Sequence, residues 1–248
     1  MLDTIIVAAA QSRRMALDKM TLRIAGRTIL EWSFAACAAV TSVRRIVVVC
    51  AAGREEEFHS LLTPIDTSKK LHAIVPGGAE RSDSVAAGIA ALAKSGGSIL
   101  LPTDSERSRA SSSPLAQAGE QDAPPTFIAI HDAARPFVRP EAFEKCFARA
   151  REIGAAALAE RVVDTLHRTD EDQRVAETVL RENLWRVQTP QIARRDWLAE
   201  LHNHATDEIG GLVQLGYPAV MVENPFPNPK ITTPTDLPLA EAVAKSFL

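Results

Sequence analysis

Short apolar runs alternate with amphipathic stretches along most of this 248-residue chain. "TIIVAAA" (4–10) reads as a buried strand, and "TILEWSFAACAAV" (28–40) as the helix that follows. "RRIVVVC" (44–50) is a second strand, rich in β-branched residues and closed by Gly53. "LHAIVPGG" (71–78) predicts a third, running into a helix over "ERSDSVAAGIAALAKS" (80–95). "TFIAIHDAARPFV" (126–138) gives a fourth strand and a Pro-marked loop, then a helix over 140–152. Strands and helices alternating at this spacing imply parallel β-α-β units in a doubly wound sheet, one α/β domain over 1–248. Ligands on such sheets bind at the carboxyl ends of the strands.

Two stretches break the rhythm. Residues 95–125 are dense in Ser, Pro and Gly, a composition that suits a flexible surface insertion. Residues 161–187, "RVVDTLHRTDEDQRVAETVLRENLWRV", place two β-rich segments around a charged turn and predict a hairpin arm standing off the core.

Composition narrows the class without naming it. Hydrophobic content of 46% and charged content of 24% support a buried core, and the net charge of −3 gives no footprint for nucleic acid or an anionic membrane. The three cysteines, Cys37, Cys50 and Cys146, form no CxxC pair, and the six histidines show no metal spacing. No apolar run approaches the ~18 residues of a membrane span, and Ile5–Ala10 is short for a signal sequence. The expectation is a cytoplasmic protein that keeps its thiols reduced.

The polar stretches carry the chemistry. Neither GxGxxG nor GxxxxGK[ST] is present, so a nicotinamide oxidoreductase or a P-loop enzyme lacks its signature. Arg13, Arg14 and Lys19 lie just beyond the first strand, where cations neutralise a polyphosphate; a solvated basic loop has the same composition. Asp132 in "HDAARP" ends an apolar strand, where one carboxylate and substrate phosphates hold Mg²⁺, or where an aspartate caps a turn. "PGGAERSDSV" (76–85) offers a backbone free to approach a planar base, with Ser84 to hydrogen-bond it, or simply a β-α turn. Lys230 in "NPKITTPTDLPLAEAV" (228–243) is a further phosphate ligand or an exposed lysine ahead of a Pro-started helix.

The order of these stretches, together with "VVDT", "TVLRENLW", "QTPQ" and "ATDE", closely resembles the 2-C-methyl-D-erythritol 4-phosphate cytidylyltransferases of the non-mevalonate isoprenoid pathway. "HDAARP", "QTPQ" and "KITTPTDL" are the specific part, and the resemblance spans the chain except 95–125. It implies a Rossmann-like, mostly parallel sheet of the nucleotide-diphospho-sugar transferase kind with a protruding β-arm. It also implies transfer of CMP from CTP to the alditol phosphate, with Mg²⁺ or another divalent cation as cofactor and a homodimer formed through the arm. By resemblance, Ala8, Ala9, Ala10, Arg14 and Lys19 wrap the triphosphate, and Gly78, Ala79 and Ser84 recognise cytosine and ribose. Asp132 is the metal-side acid with Ala133 beside it, and Lys230 contacts the α-phosphate. Thr165 and Arg181 hold the acceptor across the dimer interface, and Thr189 and Thr206 are further substrate-side positions.

The chain departs from that family at several places. Ala10 and Ser12 occupy the two glycine positions of the first loop, which predicts weakened CTP binding. Asp18 replaces the frequent proline before the lysine. Glu223 is the nearest carboxylate to a second metal-side position, and His167 stands where the arm often carries lysine. A transferase for another alditol phosphate, such as ribitol 5-phosphate, shares the motifs, and a catalytically impaired binding subunit would explain the altered loop.

Overall fold

A computed structural model describes residues 1–9, 18–94, 126–201 and 207–247. The strands β1 (Leu2–Val7), β4 (Val43–Cys50), β5 (Leu71–Pro76) and β6 (Phe127–Asp132) are the four read from the sequence, each within a few residues of its expected bounds. Between β1 and β4, two short strands, β2 (Arg23–Ile24) and β3 (Arg27–Thr28), form a separate hairpin. It feeds α1 (Ile29–Ala38), whose start is fixed by a capping box: Thr28 Oγ1 accepts the Glu31 N–H and Glu31 accepts the Thr28 N–H. Helices α2 (Glu55–Leu62), α3 (Arg81–Ala93) and α4 (Pro140–Ile153) complete the regular alternation.

Three more strands, β7 (Ala155–Arg161), β10 (Trp185–Arg194) and β11 (Val220–Glu223), enlarge the sheet to seven, in the order β11-β7-β10-β6-β1-β4-β5. β10 runs antiparallel to both its neighbours, and every other pairing is parallel. Alternation along the central strands explains why they read as unbroken apolar runs. Leu2 and Ile6 face one helical layer and Ile5 and Val7 the other; Ile46 and Val48 alternate with Val47 and Val49 in the same way. Both faces are covered, so the sheet is doubly wound, as expected.

The predicted arm is a separate two-stranded ribbon, β8 (Leu166–Thr169) against β9 (Val175–Val179), with Leu166 opposite Val179. The remaining helices are short: α5 (Arg195–Leu198), α6 (Glu208–Gln214) and α7 (Leu237–Ala244). Gly154 ends α4 at φ 108°, and a Cβ there would lie 2.0 Å from the Trp197 ring, so only glycine permits this turn into β7. The insertion 95–125 lies outside the described residues. No helix among the described residues is long and apolar enough to cross a membrane.

Candidate active site

The carboxyl ends of four parallel strands converge on one cavity of about 620 Å³, a volume suited to a small organic ligand. Val7 and Ala8 come from the end of β1, Ala51 and Ala52 from beyond β4, Gly77 and Gly78 from beyond β5, and Asp132 from the end of β6. The Ala8 N–H is spent on the Val49 carbonyl at 2.7 Å, which fixes the first loop as it leaves the sheet. Gly77 is needed for close approach: a Cβ there would stand 2.5 Å from Ser84 Oγ and 2.7 Å from Ala9 Cβ.

Charge in the cavity is organised around Asp132. Its Oδ2 lies 2.7 Å from Lys230 Nζ and its Oδ1 3.4 Å from Arg81 Nη2. Burial by itself raises such a carboxyl, but Lys230 and Arg81 outweigh it and hold Asp132 at about 2. Arg81 opens α3 and also pairs with Glu208 at the start of α6. Burial works against the Arg81 charge, and Glu208 and Asp132 together more than compensate, so its guanidinium is held above its ordinary value. Lys19, nearly buried on a 3-10 turn over Lys19–Thr21, completes the cationic lining. A chain of net charge −3 thus lines this cavity with three cations, Lys19, Arg81 and Lys230, beside the carboxylates of Asp132 and Glu80.

A buried polar chain supports Asp132 from behind. His131 Nε2 lies 3.0 Å from the Arg135 carbonyl, which only accepts, so Nε2 carries the proton. Nδ1 then accepts the Thr189 hydroxyl at 3.1 Å, and Thr189 Oγ1 accepts the Asp132 N–H at 3.1 Å. Thr189 reaches this position because the pairing of β10 with β7 breaks register between Val187 and Gln191. Burial pushes the fully enclosed imidazole down to about 4.

A second cavity of about 460 Å³ adjoins the first, lined by Arg135, Glu160, Arg186, Gln188, Asn228 and Lys230 among others. Arg135 donates from Nη1 to the Asn228 carbonyl at 2.8 Å, while its buried Nε has no partner among the described residues. Burial works against its charge, which makes it ready for an anion. Lys230 lines both cavities.

The structure therefore gathers Ala8, Ala9, Lys19, Gly78, Ala79, Ser84, Asp132 and Lys230 at one site. Ala133 and Thr189 do not line this cavity. Ala133 is fully buried with its N–H on the Val7 carbonyl, and Ala134 lines the cavity in its place. Thr189 is buried beneath Asp132 and makes its bonds to the protein. Thr165 and Arg181 belong to the arm region, where they were expected, and line neither of these two cavities, with Arg181 donating to the Val163 carbonyl. Ala10, Arg14 and Thr206 lie outside the described residues. Glu223 is exposed on β11 and pairs with Arg161 at 3.5 Å, so it does not serve the cavity. Arg81, Glu208, Arg135 and Arg186 were not singled out from sequence. Each sits in or near a stretch already quoted, but only the fold shows that helix starts and strand ends meet.

No group of three or more His, Cys, Asp or Glu that could hold a metal occurs among the described residues. Asp132, an ionised carboxylate on the wall of a cavity that also carries Lys19, Glu80, Arg81 and Lys230, fits a hydrated divalent ion carried in by substrate phosphates, not a cage built by protein alone.

A Rossmann-like sheet, a cavity at its carboxyl edge carrying Lys19, Arg81 and Lys230, and an adjoining pocket carrying Arg135 and Arg186 suit a nucleotidyltransferase. The family model described as IspD, 2-C-methyl-D-erythritol 4-phosphate cytidylyltransferase, matches residues 2–120 and 103–246. A relative of that name from Pelotomaculum thermopropionicum is 34% identical over 98% of this chain and 93% of its own length. The crystal structure of 2-C-methyl-D-erythritol 4-phosphate cytidylyltransferase from Thermus thermophilus is 30% identical, covers 99% of this chain and 100% of that one, and superposes with a TM-score of 0.68. A 4-diphosphocytidyl-2C-methyl-D-erythritol synthase from Anaerococcus prevotii, 22% identical over 98% of this chain and 96% of that one, shares the fold at a TM-score of 0.74. The chain belongs to the 2-C-methyl-D-erythritol 4-phosphate cytidylyltransferase family.

Proposed function

We propose that this chain transfers CMP from CTP to 2-C-methyl-D-erythritol 4-phosphate and releases pyrophosphate, a step in isoprenoid precursor biosynthesis. The observation that carries the reading is Lys230, which lines the nucleotide-sized cavity and the smaller anion-facing pocket alike. The larger cavity takes CTP, and the smaller takes the acceptor phosphate against Arg135 and Arg186. A phosphate oxygen of the acceptor then attacks the α-phosphorus in line. A new P–O bond forms there, the bond to the β-phosphate bridge breaks, and pyrophosphate carries away the electron pair.

The acceptor oxygen is already anionic, so no general base is needed. The obstacle is repulsion between two polyanions, which positioning and fixed positive charge overcome. Lys230 between the pockets offsets it at the reacting phosphorus, and Lys19 and Arg81 do so along the triphosphate. Asp132 with phosphate oxygens would hold Mg²⁺ or another divalent cation, which supplies further charge neutralisation.

Three extensions belong to the same reading. The arm, with its exposed Val163, Val175 and Leu180, pairs with a second copy of the chain, so that Thr165 and Arg181 serve the partner's acceptor pocket. The altered first loop binds CTP more weakly than a glycine-bearing loop does, because both glycines are gone, but does not lose it, because Arg14 and Lys19 remain in the sequence. The protein works in the cytoplasm, in keeping with its sparse, buried thiols.

The test is pyrophosphate release from the purified protein with CTP, the acceptor and Mg²⁺, with ribitol 5-phosphate as a control acceptor. Release should require both substrates, and Lys19→Ala should lower kcat by ~10²–10³. Equal turnover of ribitol 5-phosphate would reassign the acceptor. No release from a folded, CTP-binding protein would leave a binding role.

A further inference from the structure

One charged cluster beside the cavity is not explained by either substrate: Asp18, Arg54 and Glu57. Asp18 immediately precedes Lys19. Its Oδ1 accepts the Met20 N–H at 3.2 Å and its Oδ2 accepts the Thr21 hydroxyl at 2.8 Å, so it caps the very turn that presents Lys19. The same Oδ2 lies 2.5 Å from Arg54 Nη2.

Arg54 is held before it meets Asp18. Its Nε and Nη2 each donate to Glu57 at 2.8 Å, and its guanidinium lies 4.7 Å from the centroid of the buried Phe58 ring. The fork is therefore built from the first turn of α2, and little side-chain entropy is lost when it engages Asp18. Arg54 also follows Ala51 and Ala52, which line the cavity from the end of β4. One ion-paired bridge thus ties the Lys19 turn to the segment that lines the same cavity beyond β4.

An aspartate next to a triphosphate is unfavourable unless its charge is offset. With Asp18 41% and Arg54 24% exposed, the pair adds little to global stability, so its effect is local. We infer that Arg54 is a positioning residue for nucleotide transfer, acting through Asp18 to hold the Lys19 turn in place and to cancel a charge that would otherwise repel CTP. The inference rests on the reading of the larger cavity as the nucleotide site.

Calorimetric titration of CTP into the full-length protein, with thermal melts alongside, tests it. Arg54→Ala should weaken CTP binding about tenfold, from the lost pair and the loosened cap. Its melting temperature should stay within about 4 °C of wild type. The double substitution Arg54→Ala/Asp18→Asn should recover part of the lost affinity. It removes the uncompensated charge, and the amide oxygen still accepts from Met20; a merely structural role predicts no gain from a second mutation. Under turnover the KM for CTP should rise while that for the acceptor does not. Glu57→Gln, which loosens only the hold on Arg54, should weaken binding in the same direction by less.

A wild-type chain that does not bind CTP overturns the nucleotide-site reading itself. If wild type binds and Arg54→Ala binds within twofold, or the double substitution is no better than the single, the positioning role is overturned. Should Arg54→Ala not fold, Glu57→Gln decides alone, and binding within twofold of wild type then counts against the role.

Discussion

Lys230 Nζ and Asp132 Oδ2 lie 2.7 Å apart, yet the two side chains differ in freedom: Asp132 is 13% exposed and Lys230 44%. Asp132 is pinned from its backbone by Thr189 and from its side by Arg81, whereas Lys230 is anchored chiefly by this one contact. The lysine is thus poised to exchange a carboxylate oxygen for a phosphate oxygen without moving the strand beneath it.

Lys230→Ala should therefore lower kcat by ~10²–10³, the scale for removing a charge-stabilising group, with little effect on folding. Steady-state kinetics and a thermal melt on the same preparation check both halves. A kcat within a few-fold of wild type would remove Lys230 from the reaction.

The Thr189 hydroxyl is expected to matter through position, not substrate contact. Thr189→Val strands the Asp132 N–H and His131 Nδ1 in a buried place, at ~1–3 kcal/mol for each unsatisfied group. Thr189→Ser keeps the hydroxyl and should restore most of that loss. Urea unfolding of the two variants gives the comparison, and a Thr189→Val chain no less stable than Thr189→Ser would show that the hydroxyl is not what counts.

His131 gives the fold a pH dependence of definite sign. Its imidazole is neutral when folded and titrates at about 4, well below the 6.5 of a free histidine. The unfolded chain therefore binds the extra proton first, and stability falls as pH drops from 6.5 toward 4. The contribution is nearly full at pH 7 and falls by about 2 kcal/mol by pH 5 through linkage, a loss absent from a chain without this titration. Urea unfolding at both pH values, in wild type and His131→Asn, should show the wild-type difference to be larger by that amount.

Much of this architecture was legible in the chain because the physics was local. β1, β4, β5 and β6 announce themselves as runs of Ile and Val, and Pro140 marks the start of α4. β7 was not legible: "AAALAER" is alanine-rich and favours a helix by propensity, and it becomes a strand only because β10 and β11 flank it. α2 hides behind "EEEFHSLL", whose three leading glutamates obscure a single buried stripe of Phe58 and Leu62. At the site, motif order was enough to find Asp132 and Lys230. It could not reveal that Arg81 bridges Asp132 and Glu208, residues 51 and 127 positions away, because such a contact exists only once α3 and α6 are laid on the sheet.

Gly77→Ala should damage the nucleotide site more than its size suggests. The new methyl would meet Ser84 Oγ and Ala9 Cβ inside ordinary contact distance, and both residues line the cavity. Overpacking of this kind costs ~1–3 kcal/mol. A raised KM for CTP with an unchanged KM for the acceptor is the expected signature, and equal rises in both would point to general loosening.

The proposed pairing of the arm with a second copy of the chain is open to a direct test. A two-stranded ribbon is marginal by itself, and Val163, Val175 and Leu180 are 72%, 63% and 77% exposed on or beside it. If Arg181 serves the partner's pocket, Arg181→Ala and Lys230→Ala each inactivate a homodimer, but by defects in different halves of the site. Unfolding and refolding an equal mixture gives half heterodimers. In each, one site combines an intact Lys230 from one protomer with an intact Arg181 from the other. Activity should return to about a quarter of wild type, as expected for a symmetric two-site dimer. A mixture no more active than the two variants measured apart would mean that Arg181 acts within its own chain or not at all.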